Sequence, residues 1–487
     1  MARARAAAPE APPSLLDREI VRLTPAERIA RGKGARTEVP RRLHGSWEPA
    51  PDRPDPIALL EEQAQTRVPD LVPIRHGRMS VSPFTFYRGA ALIMAADLAG
   101  SPTTRLTVQT CGDAHLSNFG VFASPERQLL FDVNDFDETL PGPWEWDVKR
   151  FAASLEIAGR DLGFAPSDRR DVVIAGIGEY REELRRAARM GVLEAWYAHM
   201  SVEGLMTWLE AEAAGEGLGR KEFEEATQDV AKARTRDSVR VFTRLADAIG
   251  ADVRIVSDPP LIVPVDELVP LGTERHEIEA WMRSLIRSYR RSLGHQHHPI
   301  EEFRFVDAAR KVVGVGSVGT RCWIFLLEGR DGSDPLFLQA KEAQASVLER
   351  FVGPSEFRNH GKRIVMGQRL MQAASDIVLG WLRARTLDGQ VRDFYVRQLH
   401  DWKGAAEVET LRVPGATLYA RLCGSTLARA HARSGDRIAI AAYLGKGSTF
   451  DRAMADFAVA YADQNERDHE AFMRAIASGR LEAQLGL

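Results

Sequence analysis

The residues best suited to chemistry lie in two short polar segments, each preceded by an apolar run. The segment GDAHLSN over 112–118 follows LTVQT, and NDFDE over 134–138 follows QLLFDV. Both apolar runs are typical of short strands, so the two segments are predicted to be loops at strand ends. Asp113 and Asn118 are five positions apart on the first loop, and Asp135 lies on the second. A carboxylate that accepts a hydroxyl proton, with an amide oxygen and a carboxylate that hold magnesium, meets the needs of phosphoryl transfer.

The acidic residues of the second segment could bind a metal ion. They lie within seven positions and comprise Asp132, Asp135, Asp137 and Glu138. Burying such a cluster without a cation would cost on the order of several kcal/mol per uncompensated charge. The carboxylates are therefore either solvated or hold metal. A plainer alternative stays open for each loop: Asp113 and Asn118 could make only local hydrogen bonds to the backbone.

A glycine motif and a lysine much later in the chain favour nucleotide binding. The motif is Gly314-x-Gly316-x-x-Gly319, with Ser317 inside it, and the run that follows reads as a strand. That order suits a glycine hairpin over phosphates better than a Rossmann loop, which would lead into a helix. Lys341, in LFLQAKEA, could reach in from the next strand to neutralise phosphates. A plain β-hairpin and a solvated edge lysine remain the alternatives.

The two polar segments together resemble the aminoglycoside and choline kinase branch of the kinase-like superfamily, where a GDxHxxN loop precedes an IDxxD segment and an Asp at a helix start. The resemblance implies that Asp113 is the catalytic base, with His115 beside it in the same motif. It implies that Asn118 and Asp135, with Asp137, are magnesium ligands. Asp147 would be the structural acid of the helix start. ATP would then be held by Gly314, Gly316, Ser317, Gly319 and Lys341.

Longer phrases resemble a bacterial family called domain of unknown function 2252. They are SPFTFYRGAA, CGDAHLSNFG, FDVNDFDETLPGPWEWD and QRLMQAASDIVLGW. This resemblance covers the chain from about Arg75 onward and names no substrate. Kinases place the glycine loop and lysine before the catalytic loop, so we predict a circular permutation, which nearby termini would allow. The helix glutamate that pairs with the lysine in kinases has two candidates here, Glu349 and Glu356.

The predicted fold is a two-lobed α+β fold of the protein-kinase type, circularly permuted. Residues 1–55, rich in Ala, Pro and Arg, are predicted to be a disordered tail and linker. Residues 56–302 would form a helical lobe with the catalytic and metal-binding loops, and the helical pattern between about 144 and 250 would be a bundle or subdomain. Residues 303–403, where apolar runs alternate with turn residues, would form a β-rich nucleotide-binding lobe. Residues 404–487 would add helices that complete the helical lobe, with one buried face that carries Phe450, Met454, Phe457, Tyr461 and Phe472.

The charge balance and the apolar runs of the sequence limit the kinds of partner that it predicts. The chain has 487 residues, with 65 Lys and Arg against 68 Asp and Glu, so its net charge gives no clear signal for nucleic acid or an anionic membrane. No run approaches the roughly 20 apolar residues of a membrane span. The three cysteines are widely separated and too few for a disulfide framework, which favours a cytoplasmic protein.

Two further residues were assigned from their surroundings. His431 falls where kinase-like phosphotransferases often carry a buried histidine beneath the site, and we predict a structural role for it. Arg88 could clamp a phosphate or a carboxylate, and surface or salt-bridge use is the open alternative.

The expected function is ATP- and magnesium-dependent phosphoryl transfer to the hydroxyl of an unknown small-molecule or protein acceptor. Nucleotidyl transfer on the same scaffold is a close variant. A non-catalytic nucleotide sensor, or pseudokinase, is the rival from another class. A metal-dependent hydrolase using Asp132, Asp135 and Asp137 is a third possibility, and it predicts metal binding without nucleotide.

Overall fold

The computed structural model describes residues 22–214, 242, 245–249, 252–269, 275–294, 298–399, 404 and 406–486. Its α-helices are α1 Pro25–Glu38, α2 Pro56–Ala64, α3 Val72–Met79, α4 Pro83–Arg88, α5 Ala91–Ala99, α6 Trp144–Asp161, α7 Pro166–Ala187, α8 Val192–Tyr197, α9 Val202–Ala214, α10 Arg275–Arg290, α11 Glu349–Val352, α12 His360–Met371, α13 Val413–Ser434, α14 Arg437–Leu444 and α15 Thr449–Ala477.

The strands are β1 Thr107–Thr110, β2 Phe119–Ala123, β3 Leu129–Val133, β4 Leu140–Pro143, β5 Met200–Ser201, β6 Ala246–Ile249, β7 Asp252–Ile255, β8 Ile262–Pro264, β9 Arg304–Lys311, β10 Cys322–Glu328, β11 Pro335–Ala343, β12 Gly380–Arg385 and β13 Val391–Gln398. Helices and small antiparallel sheets occur together, so the predicted α+β class is confirmed.

The largest sheet has six antiparallel strands in the order β12-β13-β11-β10-β9-β8. Four of its strands, β9, β10, β11 and β13, correspond to the apolar runs predicted within 303–403, and two helices, α11 and α12, lie between β11 and β12. The sheet begins earlier than predicted, because β8 pairs with β9 and α10 packs Met282 and Tyr289 against its strands. Strand β8 has only three residues and follows Pro259 and Pro260 closely, so the sequence pattern was too short to indicate a strand there.

The helical part of the chain has its own hydrophobic core. Helix α13 lies against α7 so closely that a Cβ on Gly424 would stand 2.1 Å from the carbonyl oxygen of Gly176. The predicted face of α15 is confirmed, since all five of its large side chains are buried. The helical stretch predicted over about 144–250 contains helices α6 to α9 among its described residues, and it differs from the prediction in β5 and in β6, which pairs with β7 near its end. Residues 215–241 of that prediction lie outside the described residues.

The prediction of a disordered tail is wrong for the segment from residue 22 onward. Thr24 and Glu27 form a capping box at the start of α1, with Pro25 as the first helical residue. The Arg36 Nε atom donates to the Tyr443 carbonyl at 2.8 Å, and His44 Nε2 lies 2.7 Å from the Tyr443 hydroxyl. The Thr-Pro-x-Glu signal of a helix start was present in the sequence, but the Ala- and Arg-rich composition around it concealed it.

In the part of the chain described above, no helix is both long and apolar enough to cross a membrane. Cys111, Cys322 and Cys423 are buried and unpaired, in agreement with the absence of a disulfide framework.

Candidate functional site

Two antiparallel strand pairs hold the two polar loops side by side. Phe119 of β2 pairs with Val133 of β3, and the amide of Asn134 donates to the Asn118 carbonyl at 2.8 Å. Thr110 of β1 pairs with Leu140 of β4. Each pair joins one end of the 111–118 loop to one end of the 134–139 loop. The sequence places these loops at strand ends, and the pairing makes them neighbours.

A buried carboxylate fixes the backbone of the 111–118 loop. Asp147, in the first turn of α6, accepts hydrogen bonds from the amides of Cys111 at 2.8 Å and Gly112 at 3.0 Å. Its Oδ2 lies 3.1 Å from His431 Nε2, and the Tyr180 hydroxyl lies 2.8 Å from His431 Nδ1. His431 has no exposed surface. The structural roles predicted for Asp147 and His431 agree with these contacts.

Gly112 is required by the loop geometry. Its φ angle is +79°, in the left-handed region, and a Cβ there would stand 2.4 Å from the carbonyl oxygen of Glu138. The glycine of the motif therefore allows the two loops to touch.

The carboxylate of Asp113 is held by one oxygen only. Arg150 Nε and Nη2 lie 2.8 and 2.6 Å from Asp113 Oδ1. Arg150 is itself held, since Nη2 donates to the Tyr87 carbonyl at 2.8 Å and the guanidinium lies 3.9 Å from the centre of the Tyr87 ring. Among the described residues none forms a hydrogen bond with Asp113 Oδ2, and His115 Nε2 lies 3.6 Å from it, which is too long for one. One oxygen is anchored and the other can take a proton.

Burial sets the protonation of this pair. It raises the pKa of Asp113 to about 6, although Arg150 opposes the shift. Burial, with the charges of Arg150 and Arg88, holds the pKa of His115 well below its usual range. The imidazole is therefore neutral, and Asp113 is the better proton acceptor of the two predicted catalytic residues.

Asn118 and Asp135 offer the oxygen atoms that magnesium prefers. Asn118 Nδ2 donates to the Asp113 carbonyl at 2.7 Å, which leaves the amide oxygen free. Burial and the neighbouring Asp137 raise the pKa of Asp135, as expected for a carboxylate that lacks a full counter-charge. Among the described residues no group of three or more His, Cys, Asp or Glu forms a metal site. Two oxygen ligands fit magnesium if phosphates and waters supply the rest.

Asp137 is the nearer of two carboxylates that pair with Lys341. Lys341 Nζ lies 2.5 Å from Asp137 Oδ2 and 3.8 Å from Asp135 Oδ2. The Ser317 hydroxyl donates to Asp137 Oδ2 at 3.1 Å, and the Tyr395 hydroxyl donates to Oδ1 at 2.8 Å. Both oxygens of Asp137 thus accept hydrogen bonds, and the residue that was predicted to bind metal is the ion partner of Lys341.

The Asp137 carboxylate and the Lys341 ammonium each stabilise the charged form of the other. Burial alone would raise the pKa of Asp137, but the Lys341 ammonium and the hydrogen bonds from Lys341 and Tyr395 outweigh it and lower that pKa. Burial would likewise lower the pKa of Lys341, yet Asp135 and Asp137 hold it well above its usual value. Lys341 is charged at neutral pH.

Neither predicted glutamate is the partner of Lys341. Its ion pairs are with Asp135 and Asp137. Glu349 accepts hydrogen bonds from the amides of Ser346 and Ser355. In place of a glutamate, helix α12 provides Arg363, whose guanidinium donates to the carbonyls of Asp137 at 2.8 Å and Thr139 at 2.6 Å. Neither candidate, Glu349 or Glu356, therefore pairs with Lys341, since the carboxylates that do so come from another part of the chain.

One cavity of about 330 Å³ brings most of the predicted residues together. Those that line it are Asp113, His115, Asn118, Asp135, Gly314, Gly316, Ser317 and Lys341. Gly319 lies outside the wall. Its φ angle is +90°, and a Cβ there would stand 3.0 Å from the Arg67 side chain, so its role is in the turn.

Four further polar residues line the cavity: Arg88, Lys311, Gln339 and Arg397. The sequence had indicated only Arg88, as one that could clamp a phosphate or a carboxylate. Arg397 donates to the Asn134 carbonyl at 3.2 Å and to Gln339 Oε1 at 3.2 Å. Gln339 pairs with Arg397 across β11 and β13, two positions from Lys341. The alternation of a strand could have indicated Gln339, because residues two apart share one face.

Comparison with known proteins gives one result. A sequence model of a protein family matches residues 67–475, and that family is described as an uncharacterized protein conserved in bacteria (DUF2252). No curated protein and no solved structure matches. The family description carries no activity, so the chemistry of this site rests on its own residues.

Proposed function

Since this chain belongs to the bacterial family called domain of unknown function 2252, whose description names no activity, we propose from the site that it is an ATP- and magnesium-dependent phosphotransferase that acts on a hydroxyl. The proposed scaffold is a circularly permuted kinase-like fold. One observation carries the proposal. One cavity is lined by residues that are far apart in sequence: Asp113, His115, Asn118, Asp135, residues 314–317 and Lys341.

The order of parts around the sheet supports the kinase-like scaffold. The glycine loop joins β9 to β10, Lys341 lies on β11, and α12 precedes β12 and β13. Protein kinases likewise place a glycine-rich loop before a lysine on the third strand, with a helix after it. The catalytic loop comes earlier in this chain, between β1 and β2, which is the reversal that permutation explains.

The proposed reaction uses the two oxygens of Asp113 differently. Arg150 holds Oδ1, so Oδ2 accepts the proton of the acceptor hydroxyl while the acceptor oxygen bonds to the γ-phosphorus. The bond from that phosphorus to the bridging oxygen breaks, and ADP leaves with the electron pair. Lys341 and Arg397 carry the positive charge that phosphates require on the sheet side of the cavity.

Asn118 and Asp135 are the residues that would hold magnesium. When bound, the ion would neutralise part of the phosphate charge. Asp137 and Tyr395 would keep Lys341 in place between the two polar loops and the sheet.

A non-catalytic nucleotide sensor is a second candidate, and a specific observation favours it. The carboxylate that pairs with Lys341 comes from the 134–138 loop, where kinases use a glutamate of the helix. The position of Asp113 Oδ2, free and beside the cavity, favours the enzyme.

Thermal melting tests the nucleotide site. We expect ATP at millimolar concentration to raise the melting temperature of the protein, and to do so more with magnesium than with EDTA. AMP, which lacks the β- and γ-phosphates, is the control ligand and should give a smaller shift. Melting that ATP leaves unchanged would remove both the transferase and the sensor.

A further inference from the structure

Arg88, the last residue of α4, brings an unpaired guanidinium to the wall of the cavity. No described residue forms a hydrogen bond or ion pair with this side chain, and its Nε atom is buried without a partner. The other cations around the cavity differ. Arg150 is bound to Asp113, and Lys341 is bound to Asp137. Arg397 donates to the Asn134 carbonyl, and Lys311 makes an interaction of its own. Burial lowers the pKa of the half-buried Arg88 guanidinium, and the charges of Glu409 and Asp113 oppose that shift without forming an ion pair with it. Arg88 is therefore suited to receive an anion at closer range.

Arg88 lies on the side of the cavity that carries Asp113. Its positive charge opposes the rise in the pKa of Asp113 and contributes to the lowered pKa of His115. Its carbonyl oxygen stands 3.4 Å from where a Cβ of Gly316 would be, beneath the tip of the glycine loop. Lys341 and Arg397, on neighbouring strands of the sheet, serve the nucleotide side. An anion at Arg88 would therefore sit where the acceptor must approach Asp113.

We infer that the acceptor is a hydroxyl compound that carries an oxyanion, a phosphate or a carboxylate, and that Arg88 binds this group while Asp113 takes the hydroxyl proton. The inference rests on the proposed function. A guanidinium presents a planar fork of donors that matches carboxylate and phosphate oxygens. An acceptor with an ammonium group in this place would be repelled by Arg88.

The test separates an acceptor site from the γ-phosphate site. The protein is saturated with magnesium and a non-hydrolysable ATP analogue, which fills the nucleotide site, and orthophosphate is then titrated by calorimetry. We expect Arg88→Gln to weaken phosphate binding by about 10- to 100-fold, the effect of losing charge-assisted hydrogen bonds. Affinity for the analogue should stay the same.

Arg310→Gln is the matched control. Arg310 also has a buried Nε atom without a partner, but it lies outside the cavity wall. The Arg310→Gln protein should bind phosphate with the same affinity as the wild type. Because Arg88→Gln breaks no hydrogen bond or ion pair with a described residue, its melting temperature should equal that of the wild type, which separates lost binding from lost folding. Arg88→Lys keeps the charge without the fork and should bind phosphate with intermediate affinity.

A second series distinguishes the two anions. Glycerol 3-phosphate, glycerate and glycerol share a hydroxyl and differ in charged group. Glycerol 3-phosphate or glycerate is expected to bind more tightly than glycerol. The one with the higher affinity shows whether the anion is a phosphate or a carboxylate. Equal affinity for all three compounds would overturn the inference.

The remaining outcomes are also decisive. Phosphate binding that is equal in wild type and Arg88→Gln overturns the inference and leaves the transferase standing. Weaker analogue binding by Arg88→Gln with unchanged phosphate binding makes Arg88 a nucleotide ligand, and again overturns it. Failure of the wild type to bind the analogue at all removes the proposed function, and the acceptor assignment falls with it.

Discussion

The ammonium of Lys341 lies 2.5 Å from Asp137 Oδ2, across 204 residues of sequence. This contact joins β11 of the sheet to the loop that also carries Asp135. It closes one wall of the cavity and gives a buried lysine its counter-charge. Asp135 lies farther from the same ammonium, at 3.8 Å, and this difference from Asp137 leads to the first prediction.

Asp135→Asn and Asp137→Asn should have different effects on magnesium dependence. Asp135→Asn removes the carboxylate charge that is proposed to hold magnesium. ATP should therefore raise the melting temperature equally with magnesium and with EDTA. Asp137→Asn should keep the magnesium-dependent shift and lower the free energy of unfolding by about 1.5–3 kcal/mol, since Lys341 loses a charge-assisted hydrogen bond. Thermal melts and urea titration of both variants measure this. Loss of the magnesium effect in Asp137→Asn would restore that residue as a metal ligand.

Asp113→Asn should separate enzyme from sensor. The substitution keeps the size of the side chain and removes the proton acceptor, so turnover should fall by about 10² to 10⁴ while ATP affinity changes little. Transfer from labelled ATP to cell extract or to the protein itself is the assay. Asp456→Asn makes the same chemical change at an exposed ion pair with Arg170 and should leave transfer unaltered. Equal labelling by wild type and Asp113→Asn would exclude Asp113 from the reaction, and no labelling by either would favour the sensor.

The pH dependence of kcat/KM should report the pKa of Asp113, which is about 6. Only the carboxylate form accepts a proton, and this form is lost as pH falls through the raised pKa. We therefore expect kcat/KM to be level above about pH 7 and to fall nearly tenfold per pH unit well below the pKa. Circular dichroism at each pH checks that the protein stays folded. A profile that is flat between pH 5 and 8 would contradict the assignment.

Arg150→Gln should move this pH profile to higher pH. The guanidinium favours the charged form of Asp113, so its removal leaves burial to raise the pKa further. Arg150 acts here as a positioning residue, and a shifted profile is an effect that a purely structural residue would not produce. Arg310→Gln, which changes an arginine outside the cavity, should keep the wild-type profile. An unchanged profile in Arg150→Gln would show that the contact has no influence on catalysis.

Asp147→Ala should destabilise the protein more than a surface change. The substitution leaves the amides of Cys111 and Gly112 without their buried acceptor, and it removes the partner of His431. Loss of one member of a buried network of this kind costs about 3–5 kcal/mol. Urea unfolding measures the loss, with Asp456→Ala as a control expected within about 0.5 kcal/mol of the wild type. A loss below about 1 kcal/mol would mean that Asp147 does not hold the 111–118 loop.

The local features of this protein were determined by its sequence alone. Short apolar runs bounded by turn residues predicted the strands that flank both polar loops, because strand and turn preferences depend on residues close together in the chain. The same local rule placed Lys341 on a strand after a glycine loop, and it gave α15 its buried face. The capping box of α1 was also local, so that helix was readable although the composition-based prediction missed it.

The tertiary structure alone decided which of these pieces meet. Side chains from distant segments form the ion pairs of Lys341 with Asp137 and of Arg150 with Asp113. The same packing leaves Arg88 Nε buried without a hydrogen-bond partner among the described residues. No periodicity encodes such contacts, since they follow from how strands pair and helices stack once the apolar surfaces are buried. The same packing turned Gly319 away from the cavity and brought α10 onto the sheet. Sequence patterns determine the elements, and burial of their apolar faces determines which polar ends are brought together.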